Sequence, residues 1–166
     1  MSVVEIVRLS TNDWELWRDM KVKAVESDPF SFGATSDAIL RKKEEIWRKA
    51  IEDGFYYVAM HDGLAVGTTS ACPEKGIKNR HVVYLYDVYV TSENRGQGVA
   101  KTLIQKAIED QQNNPDTLKL MLQAADTPAA LGLYESMGFV KLAQLKKQIC
   151  VNGEYADEWL MERFIR

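Results

Sequence analysis

Cysteine and histidine, the residues that most often build disulfide frameworks and metal centres, are scarce in this sequence. The 166 residues include two cysteines, Cys72 and Cys150, and two histidines, His61 and His81. Two cysteines are too few for a disulfide framework, and these two lack the spacing of a metal site. We therefore expect buried thiols in a reducing compartment, no bound metal, and histidines that are surface or strand residues rather than catalysts.

Long hydrophobic runs and an excess of basic residues are also missing. No apolar run approaches the roughly 20 residues needed to cross a bilayer, and the N-terminal residues lack the basic stretch and apolar core of a secretory signal. The formal net charge of −3 gives no strong positive field for nucleic acid or an anionic membrane. These features predict a cytoplasmic protein with no nucleic-acid or membrane partner, and the length predicts that residues 1–166 form a single domain.

Hydrophobic patterns of period 2 and period 3.6 divide the chain into seven strands and four helices. The strands are predicted at residues 3–8, 55–61, 64–71, 81–90, 118–124, 139–150 and 157–164, and the helices at 13–26, 36–52, 98–112 and 129–137. Asp62-Gly63 and Asn152-Gly153 are two-residue hairpin signals. The order βααβββαβαββ predicts an α/β (α+β) fold, in which a mixed, mostly antiparallel seven-stranded sheet carries about four helices on its two faces.

A strand, a glycine-bearing loop and an amphipathic helix follow one another between residues 82 and 108. The start of such a helix presents several unpaired N–H groups and the positive end of the dipole, which together suit phosphate oxygens. Gly96 and Gly98 let the backbone approach an anion closely, and Arg95 and Lys101 can add positive charge. The same pattern is also typical of an ordinary helix-capping turn. No Gly-Lys-Ser/Thr follows, so the loop is not a Walker loop, and Lys101 replaces the last glycine of G-x-G-x-x-G.

Two segments resemble motifs of the GNAT (GCN5-related N-acetyltransferase) superfamily. Residues 88–103, VYVTSENRGQGVAKTL, resemble the acetyl-CoA-binding motif Arg/Gln-x-x-Gly-x-Gly/Ala, with Arg95, Gly98 and Ala100 at its fixed positions. Residues 129–139, AALGLYESMGF, resemble the second motif, a short helix that carries a tyrosine and ends in Gly-Phe. The motifs stand in the family's order, separated by one helix and one strand. The resemblance therefore covers essentially the whole chain.

This resemblance implies an acetyl-CoA-dependent N-acyltransferase. The acceptor would be a primary amine of a small molecule, amino acid or peptide, which attacks the thioester directly in a ternary complex. The strand before the loop would splay from its neighbour and pair with pantetheine, while the loop amides would hold the pyrophosphate. The cofactor-binding residues implied are Val88, Val90, Arg95, Gly96, Gln97, Gly98, Val99, Ala100, Lys101, Thr127 and Tyr134. Thr127 stands where the family often has asparagine, and it offers fewer hydrogen bonds to pantetheine.

Two catalytic roles are implied for residues near the thioester. Tyr134 would place its hydroxyl near the CoA sulfur and act as a general acid, although a helical tyrosine is also a common core residue. The backbone N–H of Val88 would stabilise the oxyanion. Asp87, on the strand that enters the loop, is the predicted general base. A water-mediated relay or a free amine from solution are the alternatives.

The acceptor site is expected to involve aromatic side chains of the first helices, the central strand and the final hairpin. Phe30, Phe32, Tyr86 and Trp159 are the predicted substrate-binding residues. Aromatics suit a small amphiphilic amine, but they suit core packing equally well. Glu26 and Asp28 would attract a cation or would simply be solvated. By analogy with relatives, exposed final strands would allow a homodimer.

Two other functions fit parts of the sequence. One is a catalytically silent CoA-binding regulatory module, against which the retained Tyr134 argues. The other is an unrelated nucleotide-binding domain that uses the loop for phosphate, against which the missing Walker lysine and metal carboxylates argue.

Overall fold

The computed structural model describes residues 4–166, which contain seven strands and five helices. The strands are β1 (Glu5–Arg8), β2 (Phe55–His61), β3 (Leu64–Pro73), β4 (Val82–Val90), β5 (Lys119–Ala125), β6 (Val140–Val151) and β7 (Glu154–Phe164). The helices are α1 (Trp14–Ser27), α2 (Ser36–Leu40), α3 (Glu44–Asp53), α4 (Val99–Gln112) and α5 (Pro128–Ser136). Short 3-10 turns lie at Thr11–Asp13, Pro29–Ser31 and Ser92–Asn94.

The strands form one sheet in the order β1-β2-β3-β4-β5-β7-β6. Neighbouring strands are antiparallel except β4 and β5, which are parallel and connected by α4. Both predicted hairpin turns, Asp62-Gly63 and Asn152-Gly153, have positive φ at each of their residues, as a type I′ turn requires. The predicted mixed, mostly antiparallel seven-stranded sheet is confirmed.

Helices cover both faces of this sheet because each face presents its own apolar layer. On one face α4 buries Leu103 and Ile104 in a core that also contains Phe139. On the other face Trp17 of α1 and Trp47 of α3 lie in a second core. The phase of each strand therefore decides whether a side chain points towards α4 and α5 or towards α1 to α3.

The single helix predicted at 36–52 is wrong, since the structure divides it into α2 and α3. Lys43 has extended backbone (φ −71°, ψ 154°) and precedes the first residue of α3. The break changes the buried face: Ile39 and Trp47 are buried, whereas Ile46, expected on the same face, is 53% exposed. One continuous helix could not bury the first two together without also burying Ile46, which is seven residues after Ile39.

The final hairpin begins earlier than predicted. β7 starts at Glu154 rather than at 157, because the Asn152-Gly153 turn returns the chain at once into pairing, with Glu154 opposite Val151. At the other end of the sheet, the described part of β1 begins at Glu5, and Val3 lies outside the described residues.

The cysteines differ in environment. Cys72 is partly buried and its thiol donates to the Tyr56 hydroxyl at 3.5 Å. Cys150 is exposed on β6, so the expectation that both thiols are buried is wrong for this residue. Over residues 4–166, no helix has the length and apolar character that crossing a membrane requires.

Candidate active site

An opening in the sheet between β4 and β5 forms the centre of the candidate site. The two parallel strands pair only from Val82 to Tyr84 with Lys119 to Met121. Beyond that point β5 continues to pair with β7 as far as Ala125, while β4 runs on to Val90 with no partner on that side. The main-chain groups of β4 from Leu85 onward therefore face a gap rather than a neighbouring strand.

A bulge in β4 lies beside this gap. Thr68 pairs with Tyr89 and Ser70 with Tyr86, so β4 has one more residue than β3 between these pairs. Asp87 occupies the bulge with φ of 56°, a conformation uncommon outside glycine. The hydroxyl of Thr69 donates to the Tyr86 carbonyl at 3.2 Å and holds the bulge in place. Bulges of this kind redirect side chains and end regular pairing.

A cleft of about 1850 Å³ passes through the opening. Its walls come from five parts of the chain: residues 25–36, the second half of β4, the loop and first turn of α4, the junction of β5 and α5, and the β6–β7 hairpin near its turn. The 3-10 turn Pro29–Ser31 packs against β5 and β6. This turn covers the end of the cleft that lies away from α4.

The loop that precedes α4 turns a row of free amides towards the cleft. Gly96 and Gly98 have φ of 73° and 81°, and neither has another atom within 4 Å of the position a Cβ would take. The first hydrogen bond of the helix runs from the Thr102 amide to the Gly98 carbonyl. In the described chain, the amides from Gly96 to Lys101 donate to no acceptor at hydrogen-bonding distance. Unpaired amides at the positive end of a helix dipole bind anions.

Two loop side chains have contacts that the sequence did not reveal. Arg95 lines the cleft, but its Nε donates to the Val90 carbonyl at 2.9 Å, so it also fixes the loop to the end of β4. The Gln97 amide donates to the Glu93 carbonyl at 3.0 Å, and Gln97 is not among the residues that line the cleft. Lys101 is exposed and lines the cleft.

Tyr134 enters the cleft from α5. The side chain is 8% exposed and packs edge-to-face on Phe139 at a centroid distance of 6.0 Å. Burial raises the pKa of its hydroxyl above the ordinary value, so the hydroxyl stays protonated at neutral pH. Thr127 begins α5, with its hydroxyl accepting from the Ala130 amide at 3.3 Å. Thr127 thus caps the helix, and it also lines the cleft.

Asp87 reaches the cleft, but its carboxylate is already paired. The Nζ atom of Lys21 on α1 lies 2.7 Å from Asp87 Oδ1, and both side chains are largely buried. The ammonium of Lys21 therefore already occupies the carboxylate that would have to accept a proton.

Three of the four predicted acceptor residues line the cleft: Phe30, Phe32 and Tyr86. Trp159 does not. It lies opposite Ala124 on β5, and side chains that are directly opposite point to the same face of a sheet. That face belongs to the core under α4 and α5, and the Trp159 indole donates there to Asp126 at 3.0 Å.

Glu158 is the cleft residue that sequence reasoning missed. It precedes Trp159 on β7 and therefore points to the opposite face of the sheet, where it lines the cleft while only 5% exposed. Burial raises the pKa of its carboxyl above the ordinary value. Its strand pattern alone contains no signal for this, because the strands on either side of Glu158, β5 and β6, and the other walls of the cleft become its neighbours only in the fold.

Comparison with known proteins identifies the class. The family described as "Acetyltransferase (GNAT) domain" matches residues 52–141, and the chain belongs to this family. It is 33% identical over 73 residues to spermidine N(1)-acetyltransferase of Vibrio cholerae, across 43% of this chain and 42% of that protein. It is 32% identical over 90 residues to N-acetyltransferase 8 of Rattus norvegicus, across 54% of this chain and 40% of that protein. The chain thus spans about two fifths of the length of these curated relatives.

Solved structures share the whole fold. A GNAT-family acetyltransferase from Streptococcus pneumoniae superposes with a TM-score of 0.85 at 20% identity, covering 99% of this chain and 100% of that one. The yncA protein of Salmonella typhimurium, whose structure holds its cofactor acetyl-CoA, gives 0.81 at 18% identity, covering 98% and 94%. The predicted superfamily and fold are confirmed. Within residues 4–166, no group of three potential ligand side chains is placed to hold a metal ion.

The raised pKa of Glu158 predicts that this carboxyl lowers the stability of the fold as the pH rises. As pH rises above the ordinary carboxyl value of 4.5, the unfolded chain loses its Glu158 proton before the folded chain does, so ionisation costs the folded state stability. Glu158→Gln should therefore unfold a few degrees higher than the wild type at pH 8, and the difference should vanish near pH 4. Thermal unfolding between pH 4 and pH 8 measures this.

The matched control is Glu154→Gln, an exposed glutamate on the same strand outside the cleft. It should follow the wild type at every pH. A Glu158→Gln variant less stable than the wild type at pH 8 would contradict the account of this carboxyl.

Proposed function

We propose that the chain transfers an acetyl group from acetyl-CoA to a primary amine of a small molecule, amino acid or peptide. The observation that carries the proposal is one continuous path through the sheet: it runs from the free amides before α4, along the unpaired edge of β4, to the hydroxyl of Tyr134. The chain's membership of an acetyltransferase family supports the same reaction.

The path fits the parts of acetyl-CoA in order. The amides from Gly96 to Lys101 would take the pyrophosphate oxygens, with Lys101 adding positive charge. The main chain at Val88 and Val90 would form hydrogen bonds with the amide groups of pantetheine, which need hydrogen-bond partners as the main-chain amides of a strand do. Arg95 would act mainly by holding the loop through Val90, since its Nε already donates to that carbonyl. Val99, Ala100 and Thr127 would contribute through main-chain position and contact, and Gln97 by bracing the loop.

Two groups would assist the transfer. As the amine attacks, a carbon–nitrogen bond forms and the carbon–sulfur bond breaks. A main-chain N–H on the free edge of β4, which we assign to Val88, would donate to the thioester oxygen. Tyr134 would give its proton to the departing thiolate, and its raised pKa keeps that proton available.

The amine must also lose a proton. The sequence assigns this role to Asp87, but its carboxylate is already engaged by Lys21 Nζ at 2.7 Å. We therefore propose that the amine loses its proton to water in the cleft, and that Asp87 helps to hold the bulge through Lys21. Homodimer formation through the exposed hairpin stays a prediction.

The loop assignment predicts that Gly98→Asp abolishes tight acetyl-CoA binding. The new carboxylate would stand among the phosphate-facing amides, and like charges brought together cost several kcal/mol. We expect affinity, measured by isothermal titration calorimetry, to fall at least about tenfold. Gly63→Asp is the control, because Gly63 shares the positive φ (77°) and open surroundings but lies in the β2–β3 turn. Equal affinities for both variants would remove the loop from the cofactor site.

The role of Tyr134 predicts a split between turnover and binding. Tyr134→Phe should lower kcat about a hundredfold or more, as the loss of a general acid does, with little change in the KM for acetyl-CoA. Thiol release over a panel of primary amines measures both constants. Tyr84→Phe, which removes a tyrosine hydroxyl outside the cleft, should behave as the wild type. Unchanged turnover in Tyr134→Phe would exclude the general-acid role.

A further inference from the structure

Glu158 is a carboxylate in an environment that normally requires a partner. It is 5% exposed, yet it makes no hydrogen bond or ion pair with any of residues 4–166. Its oxygens are not among the enclosed side-chain atoms that lack a partner, so they open onto the cleft. Partial burial of an unpaired carboxylate is still costly, and a partner that the protein does not supply can come from a ligand. Because Glu158 lines the cleft, that ligand is one bound in the cleft.

Three other carboxylates that line the cleft already accept hydrogen bonds. Asp87 pairs with Lys21 at 2.7 Å. Asp126 accepts from the Trp159 indole at 3.0 Å. Asp157 accepts from the Lys146 ammonium at 2.8 Å and from a backbone amide at 2.7 Å. Glu158 is more buried than these three residues and, unlike them, accepts no hydrogen bond in the described chain.

Charge is distributed unevenly along the cleft. In the described chain, the cationic side chains that line it are Arg95 and Lys101, both at the α4 end. Its acidic lining residues lie in the remaining parts: Glu26, Asp28, Asp87, Asp126, Asp157 and Glu158. An anionic cofactor and a cationic acceptor would therefore be drawn to opposite ends.

Strand register places Glu158 beside the reaction centre rather than at it. Glu158 lies opposite Ala125 on β5 and Leu145 on β6. The opening is on the other side of β5, so the width of one strand spacing, about 4.8 Å, separates Glu158 from it. The small side chain of Ala125 leaves the cleft free between them.

We propose that Glu158 is a cation subsite of the acceptor site, which pairs with a second, non-reacting ammonium group of the acceptor. The preferred acceptors are then linear diamines and longer polyamines rather than monoamines. The inference rests on the proposed acetyl transfer and adds the substrate class to it.

The test compares acceptors that differ only in the second charge. Linear α,ω-diamines of three to eight carbons are paired with amino alcohols of the same length, and kcat/KM is measured at saturating acetyl-CoA by thiol release. The wild type should favour at least one diamine over its amino alcohol by about tenfold or more, as expected for a charge-assisted hydrogen bond. Glu158→Gln should lose most of that preference while keeping its activity on the amino alcohol within about threefold.

Glu154→Gln should keep the wild-type preference, since this exposed residue lies outside the cleft. Wild-type enzyme without a preference for any diamine, or a preference retained in Glu158→Gln, would overturn the proposal. Equal loss of activity on diamines and amino alcohols in Glu158→Gln would overturn it too, because it would place Glu158 at the reacting nitrogen or in the fold.

Binding separates this proposal from the proposed function. If no amine releases thiol, calorimetric titration of the same diamines into the CoA complex decides the matter. Diamine binding that Glu158→Gln removes would uphold the subsite while acetyl transfer fails. The absence of diamine binding to the wild type would overturn the subsite as well.

Discussion

The candidate active site depends on the early end of the parallel pairing between β4 and β5. β4 and β5 share three residue pairs, after which β4 continues alone and β5 turns its hydrogen bonds to β7. Unpaired main-chain groups inside a sheet are costly unless something satisfies them. The bulge at Asp87, held by Thr69 and by Lys21, keeps the strands apart. The same divergence would give the pantetheine arm of the proposed acyl-CoA its hydrogen-bond partners, and Tyr134 of α5 lines the cleft at this opening.

The charge distribution along the cleft favours different ligands at its two ends. The start of α4 offers free amides and Lys101 to an anion, whereas the far end offers carboxylates under the segment around Pro29–Ser31. Asp87 and Asp157 are paired with lysines, whereas Glu158 has no partner in the described chain. A donor and an acceptor of opposite charge can thus occupy one cleft from two faces of the sheet, with the reacting atoms meeting between the strands.

Local patterns predicted the fold well, because hairpin turns and amphipathic helices are decided by neighbours in sequence. The two type I′ turns, the start of α5 at Thr127 and the loop before α4 were all visible in this way. Features that depend on distant contacts were not. The break at Lys43 lets Ile39 and Trp47 enter the same core. The orientation of Trp159 follows from the register of β7 against β5, and the burial of Glu158 follows from the strands and cleft walls assembled around it.

The central claim is that the opening between β4 and β5 binds an acyl-CoA, and ligand-dependent unfolding tests it most directly. Acetyl-CoA at a hundred times its dissociation constant stabilises a protein by about 2.7 kcal/mol, which should raise Tm by several degrees. ATP and NAD, which carry phosphates but no pantetheine arm, should have a much smaller effect at the same concentration. No shift with acetyl-CoA, or equal shifts with all three ligands, would contradict the account.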